Sequence, residues 1–184
     1  MSRILKPLAV AVLLGSALAI EGCAAVFSRH AVGNAAVPQP AKSVELSRYL
    51  GNWFELARYE QAFQRNCDGV TADYALRADG RISVLNRCRN PDGTIKTAKG
   101  KAKVVDAATG AKLKVSFFGP FFGDYWVLDH ADDYSWSIVG EPSGRYLWLL
   151  ARESSPGRAQ LDALIVRAKA LGYDTSMLRI TSHP

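Results

Sequence analysis

Side chains that could carry covalent or metal chemistry are few in this sequence, whose 184 residues include three cysteines and three histidines. A thiolate beside a histidine can act as a nucleophile, and Cys and His at short spacing can hold zinc. His30, His130 and His183 are far apart, and no motif brings one of them next to a cysteine. The sequence therefore predicts no catalytic Cys–His pair, no metal site and no bound cofactor.

The first cysteine, Cys23, follows a segment with the layout of an export signal. A basic start precedes an apolar stretch over 7–20 that is too short to span a bilayer. Ile20-Glu21-Gly22-Cys23 resembles the lipobox of bacterial lipoproteins, although its second residue departs from the usual small or aliphatic type. The resemblance implies a signal peptide over 1–22, diacylglycerol on Cys23 and a lipid-anchored protein of the cell outer membrane. An ordinary signal cleaved near Ala24, which gives a secreted or periplasmic soluble protein, is the alternative.

The other two cysteines, Cys67 and Cys88, are then left as an even pair in an oxidising compartment. They flank a predicted hairpin whose turn lies at Asp79-Gly80. Counting back from this turn places Cys88 opposite Val70, so Cys67 lies about three residues beyond its ideal partner, in the loop before the hairpin. Because a loop that curls back closes such a gap, the sequence predicts a disulfide between Cys67 and Cys88.

The composition is that of one globular domain, with 48% hydrophobic and 22% charged residues. The formal net charge is +6 and the sequence pI is about 9.3. This charge suits anionic surfaces such as lipid headgroups, but the spread of the lysines along the chain favours a solvated, mildly basic surface. No segment is typical of a nucleic-acid-binding module. Residues 23–42, which are rich in Ala, Gly and Pro, are predicted to form a flexible tether in front of a domain over 43–184.

Short segments in which apolar and polar residues alternate run through this domain, which is typical of half-buried strands. Because no helical pattern separates them, they predict an all-β fold, an antiparallel up-and-down meander closed into a barrel. The last segment is apolar on both faces and precedes a helical pattern with Ser155 as N-cap and Pro156 at the first helical position. One C-terminal α-helix is therefore expected to pack on the outside of the barrel. The predicted strands cover 53–59, 69–77, 81–89, 98–105, 112–118, 124–130, 135–140 and 145–151, with a short final strand over 177–181.

Three separated motifs point to a family. Gly51-Asn52-Trp53 opens the first strand, Gly123-Asp124-Tyr125 opens the sixth, and Arg152 follows the last. In this order and spacing they resemble the three conserved blocks of the lipocalins, and the surrounding sequence resembles the bacterial, outer-membrane lipoprotein subfamily. The resemblance implies an eight-stranded barrel that carries small apolar molecules. It also implies structural roles for Gly51, Trp53, Asp124, Tyr125 and Arg152, with the arginine lying across the tryptophan ring at the closed end of the barrel.

An eight-stranded barrel has room for one small ligand where inward positions are small. The alternation places Ala57, Ala72 and Ala102 inward opposite large aromatic residues, which leaves a slot suited to an alkyl chain. The resemblance implies a fatty acid or a lysophospholipid, with Asn86, Arg58 and Tyr59 as candidates for headgroup contact. The predicted ligand-contacting residues are Ala57, Arg58, Tyr59, Ala72, Tyr74, Val84, Asn86, Ala102, Val115 and Phe117.

The main prediction is a carrier without enzymatic activity, attached to a membrane by its lipid anchor and compatible with a homodimer. Two other functions remain open. Some lipocalin relatives are enzymes, and Glu55 is a candidate acid or base, although an outward salt bridge is the alternative for its side chain. A structural envelope lipoprotein with a filled barrel is the second. The phenylalanine-rich segment 117–122 either folds onto the barrel or stays exposed for contact with a membrane or a partner.

Overall fold

The computed structural model describes residues 32–183, so Cys23, the signal segment and the first part of the predicted tether lie outside the described residues. Two short 3₁₀ turns, Ala62–Gln64 and Thr175–Met177, accompany the main elements. No helix within residues 32–183 is long and apolar enough to cross a bilayer. The main elements are α1 (Leu46–Tyr49), β1 (Gly51–Tyr59), β2 (Asp68–Leu76), β3 (Ile82–Arg89), β4 (Ile95–Val104), β5 (Lys112–Ser116), β6 (Gly123–His130), β7 (Trp136–Gly140), β8 (Leu147–Ala151), α2 (Arg158–Ala170) and β9 (Leu178–Ile180).

The strands form one closed antiparallel barrel because β1 pairs on both of its sides. It pairs with β2 through residues 51–54 and with β8 through residues 54–58. From β2 to β8, spatial order follows chain order, which confirms the predicted eight-stranded up-and-down barrel. The ninth strand, β9, pairs with residues 57–59 of β1, beyond the stretch that pairs with β2. The C-terminal segment therefore covers the part of β1 that β2 leaves unpaired.

A bulge in β1 decides which of its side chains enter the barrel. The register with β8 shifts between Glu55 and Ala57, so that Glu55 pairs with Leu150 and Arg58 with Trp148, whose side chains belong to the interior. A bulge adds one residue to a strand and reverses the in–out alternation beyond it. Glu55 and Arg58 consequently face inward, whereas Ala57 faces outward.

Two hydrophobic clusters hold the fold together. The first fills the closed part of the barrel interior and includes Trp53, Tyr74 and Ile82. The second lies between α2 and the outer faces of β1, β6, β7 and β8, where Leu164 and Ala168 are the buried residues of the helix. Because α2 covers this side, no helix among residues 32–183 covers the outer faces of β3, β4 and β5.

The start of α2 differs from the prediction. The helix begins at Arg158, and Gly157 in front of it has a φ of 89°, which is outside the helical region. Pro156 therefore lies before the helix and is not its first residue. The left-handed backbone at Gly157 lets the chain change direction between β8 and α2.

The part of the predicted tether that is described, residues 32–42, packs on the barrel. The backbone N–H groups of Gly33 and Asn34 donate to the Gly144 carbonyl at 3.0 and 3.2 Å. The buried Asn34 side chain donates to the carbonyl of Leu171 at 2.9 Å. This segment thus joins the β7–β8 turn to the end of α2, which corrects the expectation of a free tether as far as residue 42.

Candidate ligand-binding site

Trp53 and Arg152 close the end of the barrel where β1 begins. The Trp53 side chain is fully buried, and its indole N–H donates to the Tyr49 carbonyl at 2.8 Å. The Arg152 guanidinium lies 3.7 Å from the centre of the ring. Its Nη1 and Nη2 atoms donate to the carbonyls of Asn52 and Leu50 at 2.7 and 2.9 Å. The arginine thus lies across the tryptophan ring and binds the backbone at the start of the first strand.

Next to this plug, three tyrosines and Ser137 form a hydrogen-bonded floor. Tyr74 donates to Tyr125 at 2.9 Å, and the hydroxyls of Tyr125 and Tyr49 are 2.9 Å apart. The Tyr49 hydroxyl is 3.4 Å from Ser137 Oγ, which donates to the Asp129 carbonyl at 3.4 Å. When each hydroxyl donates to the next, every hydroxyl hydrogen is used within the cluster. Burial raises the pKa of Tyr49 to about 12 and also raises the pKa values of Tyr74 and Tyr125, so these phenols are neutral at physiological pH.

A small apolar cavity adjoins this floor, and the surrounding protein atoms leave almost no free space in it. Its volume is about 10 Å³, which is enough for one water molecule. A ligand larger than a water molecule does not fit in this cavity. The cavity is lined by Leu46, Tyr49, Tyr74, Ile82, Ala102, Leu113, Val115 and Tyr125.

Ala72, which pairs with Trp53 across β1 and β2, and interior side chains nearer the open end are only partly buried, so protein atoms do not fill this part of the barrel completely. The strand register places Ala72 beside Asn86 and Asn86 beside Ala98, a row of two methyl groups and one amide across β2, β3 and β4. The Asn86 Oδ1 atom is buried, and none of the described residues hydrogen-bonds to it. The partly buried interior residues include Ala72, Asn86, Ala98, Gly100, Val115, Phe117, Tyr125 and Trp148.

Gly100 has a packing reason for its lack of a side chain. A Cβ atom there would come within 2.8 Å of the Phe117 ring and of the Ser116 carbonyl oxygen. The ring of Phe117 can therefore lie across β4 only because position 100 is a glycine. Phe117 forms one wall of the open part of the interior.

Glu55 and Arg58 form an ion pair under the loop between β1 and β2, which we call the entrance loop (residues 60–67). Their exposed fractions are 2% and 0%. Arg58 Nη1 donates to Glu55 Oε1 at 2.6 Å, the Thr181 hydroxyl donates to the same oxygen at 2.5 Å, and the Gln64 amide donates to Oε2. Arg58 Nη2 donates to the Gln64 carbonyl at 2.9 Å and pairs with Glu60 at 3.2 Å. These bonds tie β1 to the entrance loop and to the C-terminal segment.

The far end of the entrance loop is fixed by a disulfide between Cys67 and Cys88, which confirms the predicted pairing. Asp68 pairs with Arg89, and the register then shifts before Thr71 pairs with Arg87. The shift leaves the curled end of the loop opposite Cys88. Both ends of the loop are thus anchored, one by the buried ion pair and the other by a covalent bond.

Comparison with known sequences identifies the family. The family described as "Lipocalin-like domain" matches residues 44–183. The chain belongs to the lipocalin family. Outer membrane lipoprotein Blc of Vibrio cholerae serotype O1 is 45% identical to this lipocalin over 142 residues, which cover 76% of this chain and 83% of that protein. Outer membrane lipoprotein Blc of Escherichia coli K12 is 39% identical over 146 residues, with 76% and 82% covered.

More distant relatives and solved structures agree with this assignment. Temperature-induced lipocalin-1 of Arabidopsis thaliana is 37% identical over 149 residues, which cover 76% of this chain and 80% of that protein. Insecticyanin of the tobacco hornworm Manduca sexta shares the fold with a TM-score of 0.64 and 18% identity, over 81% of this chain and 85% of that one. Apocrustacyanin C2 also shares the fold, with a TM-score of 0.60 and 15% identity, over 84% of this chain and 94% of that one. A lipocalin-type carrier of small hydrophobic ligands is the function class that this membership supports.

Most of the predicted ligand-contacting residues of this lipocalin face the barrel interior. Ala57 and Tyr59 do not, because the bulge in β1 turns them outward beneath α2, where the Tyr59 hydroxyl donates to the Asp174 carbonyl at 2.9 Å. Arg58 faces inward, but its Nη atoms bond to protein groups and are not directed at a headgroup. The interior positions from the prediction are Ala72, Tyr74, Val84, Asn86, Ala102, Val115 and Phe117.

The prediction did not include some residues of the lipocalin site. Ala98 continues the small-residue face of Gly100 and Ala102, and the alternation with lysines in β4 was a sufficient signal for it. Gln64 and Thr181 lie in a 3₁₀ turn and in the C-terminal segment, where no periodic pattern predicts side-chain direction. Within residues 32–183, no group of three or more His, Cys, Asp or Glu is placed to hold a metal ion.

Proposed function

We propose that this lipocalin carries a single-chain amphiphile, a fatty acid or a lysophospholipid, in the barrel interior above the tyrosine floor. The observation that carries this proposal is the partly buried row Ala72, Asn86 and Ala98, since small inward residues leave space that protein atoms do not fill. A single alkyl chain suits such a slot, because two of the three side chains in the row are methyl groups.

The floor favours entry with the apolar end first. The hydroxyl hydrogens of Tyr49, Tyr74 and Tyr125 are used within their own cluster, so the floor offers an anionic headgroup no donor. A carboxylate there would also lose its hydration without compensation. The headgroup consequently stays towards the open end, and the methyl end of the chain lies next to the tyrosines.

Asn86 is the polar contact for the ligand within this apolar slot. A buried amide oxygen without a partner costs free energy, about 1–3 kcal/mol. A hydroxyl of a glycerol headgroup can donate to Asn86 Oδ1, and a carboxylate can accept from the amide nitrogen after rotation of the side chain. The contact from a glycerol hydroxyl would recover that cost when the ligand is bound, because it gives Oδ1 a donor.

The same site gives little support to an enzymatic function. Glu55, the candidate acid or base, has both carboxylate oxygens bonded to protein donors, Arg58 and Thr181 on one side and Gln64 on the other. A general base needs an oxygen within reach of its substrate. Glu55 therefore serves to position the entrance loop, and binding is the whole chemistry of the site.

The protein acts in the cell envelope as an outer-membrane lipoprotein anchored through Cys23. This rests on the lipobox-like Ile20-Glu21-Gly22-Cys23 and on relatives that carry the name outer membrane lipoprotein. Changing Cys23→Ser should move the protein from the membrane fraction to the soluble fraction or leave its signal uncleaved. A mature N-terminus at Ala24 or later without a lipid, detected by mass spectrometry, would rule the anchor out.

Ligand titration of matched variants tests the binding site. Protein produced from Ala24 onward contains all of the described residues, with both hydrophobic clusters and the disulfide. Ala72→Phe places a ring in the slot and should weaken the binding of a fluorescent long-chain fatty acid by about tenfold or more. Ala75→Phe, on the same strand but facing solvent, is the control and should bind as the unmodified protein does.

The comparison has two informative failures. If Ala72→Phe binds the fatty acid with unchanged affinity, the slot is not the site of the alkyl chain. If the unmodified protein takes up no amphiphile at all, the barrel is functionally filled and the structural-lipoprotein alternative holds. Thermal melting of each variant shows whether it is folded before it is titrated.

A further inference from the structure

Exposed phenylalanines concentrate at the open end of the barrel. Phe118 and Phe121, in the loop between β5 and β6, are 83% and 78% exposed, and Phe63 in the entrance loop is 60% exposed. Water-exposed aromatic rings are unfavourable, and a group of them at one end of a domain indicates a contact surface. We call Phe63, Phe118, Phe121 and Phe122 the phenylalanine rim.

A basic surface adjoins the rim. The three consecutive strands β3, β4 and β5 contain no aspartate or glutamate, and their outer faces are the part of the barrel that α2 leaves uncovered. We call this surface the basic face. Its basic side chains are Arg87, Arg89, Lys99, Lys101, Lys103, Lys112 and Lys114.

The phenylalanine rim and the basic face are one continuous surface. The Lys101 and Lys103 ammonium groups lie 5.8 and 5.2 Å from the centre of the Phe122 ring. Lys103 is directly opposite Lys114 on the neighbouring strand, although like charges in that position are destabilising, and Asp124 pairs with Lys114 at 3.0 Å. A surface that keeps such a pair of like charges is suited to an anionic partner.

Acidic groups near the open end are bonded within the protein. Glu60 pairs with Arg58 at 3.2 Å, and Asp68 pairs with Arg179 at 3.1 Å. Glu141 accepts from the Ser143 hydroxyl at 2.6 Å. Arg58 and Arg179 thus offset the charges of Glu60 and Asp68, whereas Glu141 and Asp92, which accepts from Thr94, keep theirs beside the more numerous basic side chains of the basic face.

We propose that the basic face and the phenylalanine rim dock together on an anionic lipid surface, with the open end of the barrel turned towards the bilayer. Lysines on such a surface are attracted to anionic headgroups, while aromatic rings enter the boundary between headgroups and acyl chains. A symmetric contact with a second copy would bring the same surface to both sides and oppose one basic face to the other. An anionic lipid surface can bind both the basic face and the phenylalanine rim, whereas a second copy can bind only the phenylalanine rim.

This docking is separate from the proposed ligand and from the anchor at Cys23. It supplies what a carrier of amphiphiles requires, since a ligand passes between bilayer and barrel without crossing water when the open end faces the membrane. The tests below contain no bound ligand and no lipid anchor. Their failure would therefore leave the carrier proposal intact, and failure of ligand titration would leave the docking intact.

Vesicle sedimentation of the protein from Ala24 onward tests the docking. Binding to vesicles of equimolar phosphatidylcholine and phosphatidylglycerol is expected, with much weaker binding to phosphatidylcholine alone. The variant Phe118→Ser/Phe121→Ser should bind the anionic vesicles at least about tenfold more weakly. Lys99→Gln/Lys101→Gln should lower the affinity by about fivefold per lysine, and added salt should reduce the effect.

The matched control is Val166→Ser/Lys169→Gln, which removes one exposed apolar and one exposed basic side chain from α2. It should bind as the unmodified protein does. No binding to anionic vesicles, or equal binding by the Phe118→Ser/Phe121→Ser variant, overturns the proposal. Sedimentation equilibrium tests the alternative partner, a second copy of the chain. If the protein does not bind vesicles but forms a dimer that depends on these two phenylalanines, the phenylalanine rim is a contact between two copies. Since the substituted side chains are solvent-exposed, apart from the partly buried Lys101, circular dichroism should show the same fold throughout.

Discussion

The guanidinium of Arg152 lies over the ring of Trp53, at 3.7 Å from its centre, and at the same time donates to the Asn52 carbonyl at the start of β1. The two residues are almost a hundred positions apart, one at the beginning of the first barrel strand and the other just after the last. Their contact therefore fastens the two neighbouring strands at which the barrel closes. The planar fork of arginine is suited to this double role, because its face can stack while its edge donates.

Removing either half of this contact should destabilise the closed end. Trp53→Ala deletes a fully buried side chain, so we expect the free energy of unfolding to fall by about 3–5 kcal/mol. Arg152→Lys keeps the charge but not the fork and should cost about 1–3 kcal/mol. Urea unfolding measures both. The control is Arg158→Lys on the exposed side of α2, and an equal effect of the two lysine substitutions would contradict the role of the fork.

The contact between Trp53 and Arg152 could be predicted from the sequence, whereas the bulge in β1 close to it could not. Glycine and tryptophan at the start of the first strand, with an arginine after the last, carry a recognisable spacing. Counting by twos from Trp53 also predicts that Ala57 and Tyr59 face inward. The shift between Glu55 and Ala57 reverses that assignment, and no residue type in this stretch signals it.

The packing of residues 32–42 was inaccessible for a different reason. Gly33 and Asn34 belong to no periodic segment, and their partners lie in the β7–β8 turn and at the end of α2. Contacts between irregular segments leave no alternation in the sequence. By contrast, the lysine-alternating pattern of β4 correctly placed Gly100 and Ala102 on one face, because a long regular strand repeats its signal.

The disulfide should stabilise the fold chiefly by lowering the conformational entropy of the unfolded chain. Cys67 and Cys88 are 21 residues apart, so the cross-link closes a medium-sized loop in the unfolded chain and should contribute about 2–4 kcal/mol. Urea unfolding of Cys67→Ser/Cys88→Ser compared with the unmodified protein measures this. Two titratable thiols in the oxidised, denatured protein would show that the bond does not form in solution.

The buried pair Glu55 and Arg58 should be strongly coupled. Glu55→Gln or Arg58→Met alone leaves a buried charge without its counter-ion, and each should cost roughly 3–5 kcal/mol. The double variant leaves no such charge and should be destabilised by clearly less than the sum of the two. A double-mutant cycle by urea unfolding gives the coupling free energy. The exposed pair Arg158 and Asp162 on α2 is the control, for which about 0.3–0.5 kcal/mol is expected, and additive losses at Glu55 and Arg58 would contradict their interaction.

The tyrosine floor predicts a loss of stability in alkali. Burial raises the pKa of Tyr49 from 10.0 to about 12, so the folded protein keeps its proton where the unfolded chain releases it. The unfolded state then binds fewer protons than the folded state, and the free energy of unfolding decreases as the pH rises. The contribution of Tyr49 is fully present below pH 10 and is lost progressively between about pH 10 and 12, by up to about 1.4 kcal/mol per pH unit.

Tyr49→Phe isolates this contribution. The variant loses the hydrogen bonds of Tyr49 with Tyr125 and Ser137 and should be less stable at neutral pH, by about 1 kcal/mol. Above pH 10 it has one buried phenol fewer, so its stability should fall less steeply than that of the unmodified protein, and the two curves should approach each other. Lysines titrate in the same range in both proteins and cancel in the comparison. Urea unfolding at a series of alkaline pH values measures the two slopes, and parallel curves would mean that Tyr49 ionises in the folded barrel as readily as in the unfolded chain.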